Sequence, residues 1–156
     1  MSFFDDPLTK TVKSNGSVLD RSDIGLKISI PEGAVHEEKD AEINVFPCFS
    51  GPFKMPEGFE AASPVYMIGE GYKFKKDVKL EIEHFADIQS KEECEKMILV
   101  KASPKTKEGS DIHYILEKVE HSEKKFIAGE QTVEIICTEL QSGLIGTAKK
   151  ERQGNS

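Results

Sequence analysis

Ile24, Leu26, Ile28 and Ile30 alternate with Gly25, Lys27 and Ser29, and the run then breaks at Pro31-Glu32-Gly33-Ala34-Val35. A period of two sends successive side chains to opposite faces of an extended strand. One face is therefore written for a core and the other for water. Pro31 removes a backbone donor, and Pro-Glu-Gly carries the turn chemistry that takes the chain out of its ladder. Alternation returns at Val78-Lys79-Leu80-Glu81-Ile82-Glu83-His84, which places Leu80 and Ile82 inward and Lys79 outward.

Other strand candidates lie near Ser17-Leu19, Ala41-Pro47, Val65-Tyr72, Lys96-Ala102, Ile112-Glu120, Lys124-Ala128, Thr132-Thr138 and Gly143-Ala148. Turn residues separate them: Gly33, Gly51-Pro52, Pro56-Glu57-Gly58, Gly69-Glu70-Gly71, Ser103-Pro104, Gly109-Ser110 and Gly129. Many short strands punctuated in this way predict an all-β chain, an antiparallel β-sandwich of about ten short strands. Gly69-Glu70-Gly71 reads as a hairpin turn, since neither a Gly-Lys-Ser/Thr sequence nor a helix follows it. Ser90-Lys91-Glu92-Glu93 has the form of a capping box and predicts one short helical turn before strand character resumes at Met97. Residues 1–15 are polar and aperiodic, the pattern of a flexible N-terminal lead-in; 16–149 read as one sandwich domain and 150–156 as a polar tail.

Charge and cysteine usage narrow the function. A net charge of -7 lacks the concentrated basic surface that nucleic acid requires, and it disfavours an anionic membrane. No apolar run approaches a membrane span, so direct membrane insertion is not expected. Cys48, Cys94 and Cys137 are an odd, widely spaced set without a Cys-x-x-Cys pair, which points to reduced thiols and a cytoplasmic setting. Asn15-Gly16-Ser17 fits a glycosylation acceptor, but with no secretory leader in view it reads as a turn.

Gly25-Leu26, Ile30-Pro31-Glu32-Gly33-Ala34-Val35, Ser63-Pro64-Val65, Gly71, Phe74, Val78, Leu80, Ile82, His84 and Ala86 together resemble the ZU-five domain. That module is named for zonula occludens proteins and uncoordinated-five netrin receptors, and occurs also in ankyrins. Val133 to Thr138 and Gly143-Leu144-Ile145 are similar to its closing strands. The chain departs from the family where Glu70, Asp77 and Glu83 stand in places that often hold proline. The resemblance implies a non-enzymatic adaptor or scaffold in signalling or membrane-cytoskeleton assembly, needing no cofactor. The protein partners it implies are a neighbouring β-module, a death domain or a cytoskeletal protein. Some members of the family cut their own backbone at His-Phe-Ser; here His84-Phe85 is followed by Ala86, which has no nucleophilic atom.

The remaining chemistry is sparse. His36, His84, His113 and His121 share no metal-ligand spacing with one another, and no calcium loop is present. Cys137 lies in an apolar run and Cys94 follows two glutamates, neither a setting for a reactive thiolate. Lys73, Lys75 and Lys76 invert the local charge of an acidic chain; a solvated hairpin face is the expectation, and a contact for an acidic partner the functional alternative. Phe53 and Phe59, with Phe49, either anchor the long Ser50 to Ser63 loop or offer a small apolar binding face; anchoring is the expectation.

Overall fold

The structure is a computed structural model that describes residues 8–48, 53–102, 114–119 and 123–151. Strands β1 (Leu8–Val12) and β2 (Ser17–Arg21) precede a 3-10 turn at Ser22–Ile24, followed by β3 (Leu26–Ile30) and β4 (Ala41–Cys48). Next come β5 (Phe53–Lys54), β6 (Phe59–Ala61), β7 (Val65–Ile68) and the longest strand, β8 (Tyr72–Glu83). Helix α1 (Lys91–Glu95) and β9 (Met97–Ala102) follow. The chain continues through β10 (Tyr114–Ile115), β11 (Glu117–Lys118), β12 (Glu123–Lys125), β13 (Thr132–Leu140) and β14 (Gly143–Lys150).

Twelve of these strands make two antiparallel sheets, slightly more than the expected ten. The larger runs β1-β4-β7-β14-β9-β11 with β6 also on β14; the smaller runs β12-β13-β8-β3-β2. Strands β5 and β10 form a separate parallel pair.

The alternating runs set the register of the smaller sheet. Leu19, Ile28, Leu80 and Ile135 stand in one row across four strands, and Leu26, Ile82 and Val133 in another. All are buried against the facing sheet. A slip by one residue would turn both rows to water. The outward rows read Asp20-Lys27-Glu81-Glu134 and Val18-Ser29-Lys79-Ile136, with Lys79 and Glu81 paired at 3.6 Å.

Tyr66, fully buried on β7, ties the sheets together by donating its hydroxyl to the carbonyl of Ile24. Ile24 is not the first residue of the alternating strand: it closes the 3-10 turn, and its side chain is buried. Ser63 explains the Ser-Pro-Val segment. Its hydroxyl donates to Pro64 O at 2.8 Å and accepts the Thr147 amide at 3.0 Å, pinning β14 beside β7.

Three sequence expectations need correction. Leu8–Val12 is an edge strand paired with β4, not part of a loose lead-in, because Leu8 and Val12 reach the core beside Val45 and Ala41. The Ser50 to Ser63 loop contains two short strands: β6 pairs with β14 in the larger sheet, and β5 pairs with β10. Gly69-Glu70-Gly71 is not a hairpin turn, since β7 and β8 belong to different sheets and the segment crosses between them. The helix forms where expected: Ser90 Oγ accepts the Glu93 amide at 3.2 Å, while the Glu93 carboxylate reaches one residue further back, to the Gln89 amide.

Candidate functional site

The three candidate lysines occupy the first half of β8, where the strand departs from regular pairing. Val78 stands opposite Cys137 and Lys73 opposite Glu139, so five steps along β8 span two along β13. The surplus residues bulge outward, and a bulge both bends a strand and redirects its side chains. Tyr72, Phe74 and Val78 keep their inward places, while Lys76 is exposed despite sharing their parity. The unpaired backbone finds another partner: the Lys75 amide donates to Ala34 O at 2.8 Å. The Pro31 to Val35 turn thus caps the bulge.

The lysines have different roles in this geometry. Lys76 donates its ammonium to Glu32 O at 2.9 Å and covers Gly33, so it tethers the turn. Lys73 and Lys75 are exposed and make no ion pair among the described residues. Beside Lys73 lies a shallow hollow lined by His36, Lys39, Tyr72 and Glu139. Tyr72 shapes it by donating to Lys39 O and accepting the His36 amide at 3.0 Å. The His36 ring meets Lys73 O at 3.2 Å. Lys39 therefore stands beside Lys73 and His36, with the Glu139 carboxylate in the same hollow, a neighbourhood set by folding the 31–40 loop onto β8 and invisible in sequence spacing. The lysines lie on a bulged strand, not a hairpin face, because the segment before them crosses between sheets.

Phe53 and Phe59 do not join the lysines. Both are half-buried and pack on the outer face of the larger sheet, with Ile98, Val100 and Leu144 beneath them. The lysines belong to the other sheet. The two phenylalanines anchor the covering segment, and Phe49 lies outside the described residues. Exposed apolar side chains sit elsewhere: Val18, Phe46 and Phe85, the last 64% exposed. Alternation from Ile82 through His84 already turns Phe85 outward, so this one was legible.

The thiols and histidines form no reactive grouping. Cys48, Cys94 and Cys137 are unpaired, and burial pushes the thiols of Cys48 and Cys137 up. Among the described residues no group of histidine, cysteine and carboxylate side chains could hold a metal ion. His113 and His121 lie outside the described residues. His84 is only 2% exposed, neither ring nitrogen has a partner of hydrogen-bonding geometry, and the ring lies 5.9 Å from that of Phe126.

Burial moves the His84 pKa below its usual value, opposed by the backbone of Ala86 and Glu130 and by the Glu83 carboxylate. A depressed histidine pKa means that the unfolded chain takes up the proton first as pH falls. Stability should then be complete above the usual histidine pKa of about 6.5 and decline below it. Denaturant titrations at pH 7.5 and 5.5 test this. His84→Phe should show a smaller loss between the two than wild type, and equal losses would remove His84 as the cause.

The ZU5 domain profile matches residues 8–102, well over half of the 156-residue chain. The match takes in the alternating strand, its Pro-Glu-Gly turn, Ser63-Pro64-Val65 and the whole of bulged β8. It begins upstream of Gly16, at the edge strand, and stops before the closing strands β13 and β14. Among curated proteins none matches the chain as a relative. The chain belongs to the ZU5 family, whose domains are generally non-catalytic protein-interaction modules.

Proposed function

We propose that this domain works as a non-enzymatic adaptor or scaffold, in the cytoplasm, in signalling or membrane-cytoskeleton assembly, and that the Lys73 and Lys75 strip of β8 meets an acidic protein partner. The observation that carries the reading is the strip itself: exposed lysines without ion pairs on a protein of net charge -7. Strand bulges and scaffolded loops are places where β-domains present side chains to other molecules. The three unpaired thiols support a reducing compartment. Among the described residues no helix is long and apolar enough to cross a membrane. A neighbouring β-module, a death domain or a cytoskeletal protein is the class of partner that suits such a role.

The test is charge reversal with a partner captured from extract. Lys73→Glu with Lys75→Glu should slow association at low salt by roughly tenfold or less, and the difference should shrink at high salt. The melting temperature should hardly move. Lys76→Glu belongs in a separate variant, because it also releases Glu32 O. An association rate that ignores the double reversal would make the strip a solvated strand face.

A second measurement addresses self-cleavage. With Ala86 after Phe85, the purified chain should keep a single full-length mass for days at neutral pH. Discrete fragments parting near Phe85 would overturn the non-enzymatic reading.

A further inference from the structure

Among the described residues the buried side-chain polar atoms without a partner are Nδ1 and Nε2 of His84 and Oγ1 of Thr147. The two residues are linked through Ala62: its amide donates to Thr147 O at 2.9 Å, and its carbonyl accepts the Phe85 amide at 2.8 Å. A buried polar group without a partner forfeits its bonds to water, and a local opening that wets it recovers them. His84 begins the segment that joins β8 to α1, residues 84–90, which belongs to neither sheet. Besides the Phe85 bond, the His84 amide donates to Gln131 O at 2.7 Å and Ile88 O accepts the Gly129 amide at 2.6 Å. Ile88 is buried in a small cluster with Ala62 and Met97, apart from the main core. Phe126 edges that cluster and meets the His84 ring, and Cys94 packs on the cluster from α1. The charged side chains on the segments around the ring, Glu83, Asp87 and Glu130, are exposed. Of these the Glu83 carboxylate acts on the ring, while Glu130 and Ala86 act through their backbone.

We propose that residues 84–90 form an acid-released latch: proton uptake by the His84 ring opens this segment while both sheets stay paired. The opening uncovers Ile88, Ala62 and Met97 beside the already exposed Phe85, an apolar patch that neutral pH keeps shut. A charged imidazole enclosed against Phe126, with no acceptor of hydrogen-bonding geometry, is costly, and the same ring in water is not. Lifting a connecting segment wets the ring at the cost of a few backbone bonds and one small cluster. Breaking the ladders on either side of β8 would forfeit the main core as well. The latch does not depend on the adaptor reading.

Amide hydrogen exchange under native conditions, read residue by residue by NMR on the full chain, tests the proposal. With rates corrected for the intrinsic effect of pH, protection of the Phe85 and Gly129 amides should fall between pH 7.5 and 5.5. The fall should reach up to about tenfold, the factor that protonation of a solvated histidine with a pKa near 6.5 supplies. Low denaturant should hardly change exchange at these two amides, because a local opening uncovers little surface. The Leu80 amide, in the middle of the smaller sheet, should respond steeply through global unfolding. His84→Phe should abolish the pH effect at Phe85 and Gly129; where that variant does not fold, the wild-type measurements decide by themselves. Protection of Phe85 and Gly129 that ignores pH, a denaturant dependence equal to that of Leu80, or a pH effect that survives His84→Phe would each overturn the proposal.

Discussion

Leu80→Ala should lower the unfolding free energy by roughly 2–5 kcal/mol, measured by denaturant titration, while Lys79→Ala on the same strand should change it by about 0.5 kcal/mol or less. Leu80 is buried between Ile28 and Ile135 in its own sheet and faces the second sheet. Its truncation removes methyl groups from a row of branched side chains that cannot collapse far into the space. Lys79 lies on the outer face, and its contact with Glu81 at 3.6 Å is exposed to solvent. Similar losses for the two substitutions would show that the register of β8 is wrong. Because β8 runs in the middle of the smaller sheet, such an error would disqualify the rows on both sides of it.

Gly16→Ala should be comparably damaging, at roughly 2–4 kcal/mol, for a reason unrelated to the core. Gly16 has φ of 79°, and its amide closes a turn on Lys13 O at 2.9 Å. A methyl group there would stand 2.4 Å from Ile30 O and 2.8 Å from the Pro31 carbonyl carbon. These neighbours are backbone, locked by β3 and by the following turn, and cannot yield as a side chain can. Gly58 provides the control. Its φ is 85°, but nothing lies within 4 Å of the added methyl. Gly58→Ala should therefore cost only the left-handed backbone term of about 1–2 kcal/mol. Melting curves of the two variants separate steric contact from conformational preference. Equal destabilisation would mean that the Ser14 to Gly16 turn does not rest on Ile30 as described.

What was legible in the sequence follows from what a period of two can encode. Leu26, Ile28, Leu80 and Ile82 are inward because each lies in a strand whose neighbours alternate cleanly; Ile135, followed by the outward apolar Ile136, takes its place from its pairing with Leu80, and all five are buried. Strand β1 escaped notice because Lys10 occupies the position opposite buried Ile43 and remains exposed, interrupting the apolar alternation between Leu8 and Val12. An edge strand can accept such a charge, and it discourages further pairing. The Gly69 to Gly71 segment shows a different limit. Glycine marks a change of direction but does not say whether the next strand returns to the same sheet, which depends on partners in β13 and β14, far along the chain. The basic strip was visible as three lysines. Its bulge, the tether from Lys76 and the adjoining His36 and Lys39 arise only when the 31–40 loop packs on β8.

Among the described residues the last strand is also a central one. Strand β14 lies between β7 and β9, so the larger sheet has no continuous middle until residues 143–150 are in place. Strand β13, only slightly earlier, supplies one neighbour of β8 in the smaller sheet. During synthesis the ribosome therefore releases nearly the whole sandwich before either sheet can be completed. Until then β7, β8 and β9 each present an unpaired apolar margin, the condition in which strands find wrong partners. A nascent chain halted after Ala102 should remain sensitive to protease and associate with chaperones, although it contains every residue of the family match. Completion of both sheets waits on β13 and β14, and the folding of this domain should be slow for its size, as expected of closure by sequence-distant strands.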